Sequence, residues 1–504
     1  VKANPRQVSA LVARFLSRMR RTSSRVIEMR KLPVLPLAAA LLAGCMFGPD
    51  YRRPQVDTPK TYLYEPAAVE TISTDWWRQF GDPVLDQLIA EALANNKSVK
   101  IAAANVEQAA AILVQTRSAL FPQVSYQSAA ARARSSQSNA IPIPGGVANP
   151  STSYQLLGGA SWEIDLWGRV RRLSEAAQAN LLATDEARRG VVLSLVAQVA
   201  VSYIQLRSLD EQLEISQRTL KAYGDSLDLF KLQFQYGQIS QLTVTQSQSQ
   251  YETAAAKIPQ IRAQITMTEN ALSILLGRNP GHIPRGKSIV VLALPPVPEG
   301  VPSQLLERRP DLLQAEQQLV AANAQIGAAR ALYFPSISLT GAAGTASATL
   351  DNLFKGPSKL WNFAGAATGP IFTGGAISGQ VAQAEAAKKA ALVNYEFAIQ
   401  NAFADVENAL SSREQLGEQL AAEERLVKAL QDYSGLARTL FDGGYESYTT
   451  VLQAEQQLFP EELNLAATRA QLFGSLAGIY LAMGGGWVDT ADQMTTTGNN
   501  TPAR

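Results

Sequence analysis

The sequence predicts an α+β chain built twice over, in which four amphipathic strands are joined to very long antiparallel helical hairpins. Three observations carry that expectation. Short strings recur about 210 residues apart: Ala119-Leu120-Phe121-Pro122 returns as Leu332-Tyr333-Phe334-Pro335, and Phe234-Gln235-Tyr236-Gly237 as Phe441-Asp442-Gly443-Gly444. After each Phe-Pro the hydrophobic period changes from 3.6 to 2. Beyond each alternating stretch lies a proline-free run with apolar residues every seven positions.

At the N-terminus, Met29-Arg30-Lys31 precede an apolar run from Leu32 to Ala43 that closes on Leu41-Leu42-Ala43-Gly44-Cys45. A charged start, an apolar stretch and small residues before a cysteine describe a lipoprotein signal peptide. The run is too short to cross a bilayer, which needs about 20 residues. Cys45, the only cysteine, is therefore the expected lipid acceptor. Two or more acyl chains give stable attachment where one does not. Residues 1–44 are read as an upstream extension and signal peptide, with Met29 as the start, and 45–96 as the anchored N-terminal segment.

The first copy spans 97–285. A helix from about 97 to 120 ends at Phe121-Pro122, because proline forces the residue before it to be extended. Strands are expected over 123–133 and 154–166. In the second, Tyr154, Leu156, Ala160, Trp162, Ile164 and Leu166 alternate with Gln155, Ser161, Glu163 and Asp165. One greasy and one wet face over about ten residues is the pattern of a transmembrane barrel strand. Trp167-Gly168 then opens a helix whose seam reads Val199, Leu206, Leu213, Leu220, Leu227 and Phe234. About 65 residues of helix extend roughly 100 Å. A glycine turn at Tyr236–Ser240 sends the chain back to Leu276.

A proline-rich linker, 286–309, leads to the second copy, 310–484. Its helix is expected at 310–333, its strands at 336–346 and 361–372, and its turn at Gly443–Ser447. The seam is copied as Leu416, Leu420, Val427, Leu430, Ala437 and Phe441, weakened at Arg413, Glu423 and Ser434. Residues 485–504 read as a polar tail.

Composition excludes most chemistry. With one cysteine and one histidine, His282, there is no disulfide framework, zinc site or Ser/His triad, and neither enzyme activity nor a cofactor is expected. His282 lies in the turn-like Asn279-Pro280-Gly281-His282-Ile283-Pro284 and receives no role. Nine basic residues against Glu28 precede Cys45, so the chain from Cys45 onward holds 36 basic and 42 acidic residues, net −6. Nucleic-acid binding is not expected.

Four strands cannot close a barrel, and lipid tolerates no open edge, so the chain must pool its strands with copies of itself. Gly48-Pro49-Asp50-Tyr51-Arg52-Arg53-Pro54, Trp76-Trp77-Arg78-Gln79-Phe80-Gly81-Asp82-Pro83, Trp162-Glu163-Ile164-Asp165-Leu166-Trp167-Gly168-Arg169, Arg308-Arg309-Pro310-Asp311-Leu312 and Gly484-Gly485-Gly486-Trp487 occur in that order over nearly the whole chain after Cys45. In these stretches the sequence resembles the outer-membrane efflux factor lipoproteins of the TolC/OprM (NodT-like) family. The resemblance implies a trimeric outer-membrane β-barrel, four strands per protomer, continued by a coiled-coil periplasmic tunnel. It also implies an equatorial domain built from the N-terminal part, the linker and the C-terminal part. The implied partners are a homotrimer, a periplasmic adaptor, an inner-membrane pump of the proton-driven RND class and outer-membrane lipid. The implied role is passive conduction of drugs and toxic compounds out of the cell.

The resemblance also places a pore-narrowing apolar residue and an acidic one at the second tip. Counted along Gly444-Tyr445-Glu446-Ser447-Tyr448, those positions fall at Thr449 and Gln453, and the matching acidic position of the first tip falls at Thr243. The expected tip is thus uncharged at those places, with Glu446 or Glu455 left to supply negative charge and Tyr445 and Tyr448 as gate candidates or helix packing. Gly237 and Gly444 are the expected adaptor landmarks. Two other readings stand beside this one. A type I secretion duct shares the architecture, and a periplasmic coiled-coil scaffold lipoprotein would need neither strands nor duplication.

Overall fold

A computed structural model describes residues 46–56, 62, 76–136, 148–295 and 305–485. A 3-10 turn, Trp76–Phe80, leads into α1, Pro83–Asn95, and α2, Lys97–Ser118. Strands β1, Gln123–Ala133, and β2, Ser151–Ile164, are followed by α3, Arg169–Gln235, and α4, Gln241–Leu275. The second copy repeats the order with α5, Pro310–Ala331, β3, Ser336–Ser347, β4, Lys359–Thr368, α6, Ala376–Asp442, and α7, Tyr448–Ala482. The duplication extends to length: α2 and α5 have 22 residues, α3 and α6 have 67, and α4 and α7 have 35. Sixty-seven residues span about 100 Å.

The strands form one antiparallel sheet in sequence order, β1-β2-β3-β4, so β1 and β4 are its edges. Register sorts the side chains. Val124 and Tyr126 share a face with Leu156, Ala160, Trp162, Ile164, Ile337, Leu339, Ala343, Trp361 and Phe363. Gln123, Ser125, Gln127, Gln155, Ser161, Glu163, Ser338, Thr340 and Asn362 share the other. One face is apolar and the other polar, as the alternation in β2 requires.

Two strands end earlier than expected. β2 stops at Ile164 rather than Leu166, because the Asp165 carboxylate turns to accept the backbone N–H groups of Val170 and Arg171 at 3.0 and 2.9 Å, and its own chain leaves the ladder to cap α3. β4 runs from Lys359 to Thr368 rather than 361–372. The residue pair after it is Gly369-Pro370, and proline has no N–H to give the ladder.

Below the sheet the helices form a curved layer. α3 lies against α2, α4, α5 and α7, while α6 lies against α5 and α7. The layer is therefore bounded by α2 and α4 on one side and by α6 on the other. The seam departs from strict heptads: Val199, Leu206, Leu227 and Phe230 are buried, but Phe234 is 43% exposed and Ile215 and Ser216 take the place expected of Leu213. Packing on two neighbours at once needs a wider stripe than a two-helix seam. The weak point at Glu423 is buried and absorbed by a polar layer, its Oε1 accepting from Gln419 Nε2 (2.8 Å), Asn464 Nδ2 (3.2 Å) and Thr468 Oγ1 (3.2 Å).

The main core sits at mid-height. Trp76, Phe80, Leu85, Ile89, Tyr203, Ile289, Leu312, Tyr395 and Tyr480 are all buried in it, drawing on both copies and on the segment after the first hairpin. Trp76 stacks on Tyr480 with ring centroids 4.9 Å apart and planes 9° from parallel. Asp82 is fully buried: it caps α1 through Val84 N (2.9 Å) and accepts from Tyr203 Oη (2.8 Å) and Lys287 N (3.1 Å). Burial, and then the Asp82 hydrogen bond, push the Tyr203 phenol above its ordinary range.

Candidate functional site: anchor, sheet and periplasmic tip

Met46, Phe47 and Gly48 lie where strands become helices. Phe47 donates its N–H to Trp167 O at 3.2 Å, and its ring lies 4.2 Å from Phe334 and 5.9 Å from Trp167. Trp167 stacks on Phe334 and donates Nε1–H to Pro335 O at 2.7 Å; Trp162 donates to Leu120 O at 3.0 Å. The two Phe-Pro motifs and the Trp-Gly turn thus form one junction, with the segment from Met46 laid over it. Gly168 has φ +77° because a helix starts there from a tight turn, and a Cβ on it would meet Met46 at 2.9 Å.

Arg172 locks this strap. Only 2% exposed, it bonds Asp50 (2.7 Å), Glu175 (2.8 Å), Phe47 O (3.3 Å) and Gly48 O (3.3 Å). Burial disfavours its charge, but the two carboxylates outweigh that and raise its pKa further. Gly48 crosses Gly327 of α5 so closely that a Cβ on Gly48 would lie 2.4 Å from Gly327 Cα. Asn323 donates to Pro49 O at 2.8 Å. Cys45 itself lies outside the described residues.

At the far end of the helices, Gly237 (φ +70°) and Gly444 (φ +75°) occupy equivalent turn positions with nothing within 4 Å of a built Cβ. Tyr445 is 83% exposed, whereas Tyr448 is buried in a cluster with Phe230 and Phe441, 4.5 and 5.6 Å away between centroids. Tyr448 is therefore helix packing. Thr449 and Gln453, one turn apart on α7, are exposed. Thr243 lies in the first turn of α4, its N–H on Ser240 Oγ at 3.4 Å. The two acids differ. Glu446 is exposed and accepts from Thr450 Oγ1 at 3.1 Å. Glu455 has a side chain only 13% exposed, 3.4 Å from Arg438, which also reaches Ser226 at 3.0 Å. Burial pushes the Glu455 carboxyl up despite Arg438. Of the two acids proposed for the tip, only Glu446 presents charge to solvent.

Sequence reasoning did not single out Arg309. Its guanidinium ties the start of α5 to Asp405 (3.0 Å), Asp311 (2.8 Å) and Ala482 O (2.9 Å), joining α5, α6 and α7. Its signal was the Arg-Arg-Pro-Asp-Leu string, in which Pro310 starts the helix. His282 is exposed in its loop, 2.9 Å from Glu269. Among the described residues no group of three or more His, Cys, Asp or Glu is placed to hold a metal ion.

The profile of the outer membrane efflux protein family matches residues 88–278 and 301–485, once for each copy. The chain is 37% identical over 474 residues to the toluene efflux pump outer membrane protein TtgF of Pseudomonas putida, covering 91% of this chain and 97% of that one. It is 35% identical over 469 residues to the cation efflux system protein CusC of Escherichia coli, covering 91% and 100%. Among solved structures, the CmeC outer membrane channel of Campylobacter jejuni superposes with a TM-score of 0.85 at 25% identity, covering 90% of this chain and 99% of that one. The open state of the MtrE outer membrane channel of Neisseria gonorrhoeae gives 0.79 at 32%, covering 88% and 99%. With the sheet, the duplicated hairpins and both halves of the profile matched, this chain belongs to the outer membrane efflux protein family.

Proposed function

We propose that three copies of this chain form a duct that carries small molecules across the outer membrane for an efflux pump. The observation that carries the trimer is the pair of open edges. β1 and β4 each have one edge without a partner strand among the described residues, and the helical layer beneath ends in α6 on one side and in α2 and α4 on the other. Four strands at about 4.8 Å spacing make a strip about 19 Å wide, too narrow to close. Three such strips supply twelve strands and remove every edge. Exposed Val393, Phe397 and Leu436 on α6, and Ile101, Val114 and Met267 on α2 and α4, give both helical edges apolar surface to bury against the next copy.

Cys45 is the lipid anchor in this reading. Met46 is held at the strand-to-helix junction, and consecutive Cα atoms are 3.8 Å apart, so acyl chains on Cys45 start at the inner leaflet. The mass of the detergent-solubilised particle, corrected for bound detergent, tests the assembly. Three protomers are expected for the wild type, and Cys45→Ser is expected to lose membrane retention of its N-terminus. A monomeric wild type would remove the duct and leave a scaffold lipoprotein.

A periplasmic adaptor and an inner-membrane pump of the RND class complete the system. Gly237 and Gly444 are the proposed adaptor contacts, since each exposes backbone at the end of the tube. A Cβ at either meets nothing within 4 Å among the described residues, so the cost of a bulky substitution is the left-handed backbone alone. Such a substitution is expected to abolish adaptor crosslinking while trimers still form, and unchanged crosslinking would refute the contact.

Thr449 and Gln453 are the proposed lining of the constriction, with Thr243 facing it from the first tip. Rings of Thr and Gln neither attract cations nor repel themselves. Gln453→Asp is expected to raise cation selectivity in single-channel recordings; identical selectivity would place the constriction elsewhere. A neutral constriction suits the organic solutes named for the toluene pump relatives better than the cations named for CusC.

A further inference from the structure

We propose that the hairpin end of the sheet docks lipid A of the outer leaflet, with Arg132 on β1 and Lys359 on β4 taking its phosphate groups. The proposal rests on the barrel reading above and adds a specific lipid to it. All four strand-to-helix connections lie at one end of the sheet, so the end where Ala133 leaves β1 and Lys359 enters β4 is the other. With the helices in the periplasm, the hairpin end faces outward.

Charge is distributed unevenly between the two ends. From Gln123 to Trp162 the only charged residues are Arg132 and Arg134, and from Ser336 to Thr368 they are Asp351, Lys355 and Lys359. The outward end of each copy thus carries four cations and one anion, although the chain from Cys45 onward is net negative. At the helix end, Glu163 is matched by Arg169 at 2.9 Å.

Register puts two of these cations on the membrane face. Arg132 pairs with Thr152 and falls in line with Val124 and Tyr126 on β1; Lys359 falls in line with Trp361 and Phe363 on β4. Trp361 and Phe363 are stacked 5.7 Å apart with planes 5° from parallel, and both are exposed. Aromatic rings followed outward by a cation are what a barrel presents at the membrane interface. A cation on the lipid face is costly at the midplane and cheap only where headgroups begin. Lys355 is engaged by Asn352 at 2.7 Å, but neither Arg132 nor Lys359 has an ion pair or a side-chain hydrogen bond among the described residues. Among the described residues, then, both cations stand on the apolar face without a partner. The anion that meets that level of the outer leaflet is the phosphate of lipid A, which a guanidinium grips in bidentate fashion.

Full-length protein in uncharged detergent is titrated with diphosphorylated lipid A, dephosphorylated lipid A and phosphatidylglycerol, and retained lipid is read by native mass spectrometry. Wild type is expected to keep diphosphorylated lipid A in preference to the other two. Arg132→Gln with Lys359→Gln should weaken that retention on the order of tenfold or more. Equal retention by the double variant, or of dephosphorylated lipid A, overturns the proposal, and equal retention of phosphatidylglycerol reduces it to a generic anion effect and overturns it too. Conductance in phosphatidylcholine bilayers is recorded alongside: wild type and double variant should conduct alike, whereas a wild type that does not conduct would sink the channel reading instead.

Discussion

Asp82→Ala is expected to loosen the mid-height core by about 3–7 kcal/mol. The carboxylate is fully buried and serves three donors on separate elements: Val84 N at the start of α1, Tyr203 Oη on α3, and Lys287 N in the segment after the first hairpin. Alanine removes a helix cap, worth about 1 kcal/mol, and leaves the other two donors without an acceptor at about 1–3 kcal/mol each. Gly286 makes room for the carboxylate, since a Cβ there would lie 2.1 Å from Asp82 Oδ1. Amides from Ile283 to Leu292 should exchange more than about a hundredfold faster in the detergent-solubilised protein. Asp82→Asn, which keeps one acceptor oxygen, should fall between the two, and an alanine variant with wild-type exchange would show that the buried carboxylate is not what holds this loop.

Gly327→Leu is expected to expel the strap formed by residues 46–50. Glycine inside a helix costs about 1 kcal/mol relative to alanine, so Gly327 is retained against its own propensity. The reason is contact: a Cβ there would sit 2.6 Å from Phe47 O and 2.9 Å from the Arg172 side chain. A leucine cannot share that space, and overpacking of this kind costs about 1–3 kcal/mol. The strap is held by Arg172, Asn323, the Phe47 N–H on Trp167 O and the Phe47 ring, with Tyr51 and Arg53 on Glu316 just beyond it, so its displacement should leave the helices standing. Trypsin should cut after Arg52 much faster than in the wild type. Gly190→Ala is the matched control, because a Cβ at that helical position meets Pro310 at an ordinary 4.0 Å; it should leave the cleavage rate alone and stabilise α3 by up to about 1 kcal/mol. Unchanged cleavage in the leucine variant would mean that the strap is not held by this crossing.

Much of the architecture was legible because it is repetitive and periodic. A seven-residue repeat from Val199 to Phe234, an alternation over about ten residues and a duplication of strings are one-dimensional signals, and each points to a local geometry without reference to anything distant. The turn glycines were legible for the same reason: Gly237 and Gly444 end helices in the left-handed region, which only glycine enters without cost. Cys45 was singled out from its flanks alone as the expected lipid acceptor, and it lies outside the residues that the structure describes.

The roles of the sequence motifs were not legible, because their partners are remote in the chain. Nothing near Asp82 announces Tyr203 and Lys287, and nothing near Arg309 announces Asp405 and Ala482. The tip shows the same division. Spacing put Glu446 and Glu455 on equal terms, and only the third helix and Arg438 decided that one carboxylate faces water while the other is buried with a cation. By itself the sequence determined the order of the elements, the approximate length of the helices, their duplication and the two-faced character of the second strand, all of which follow from local periodicity. The tertiary structure alone decided which edges stay open, which charges are matched and which glycines are pressed against another backbone, because those depend on distances between residues that the chain keeps hundreds of positions apart.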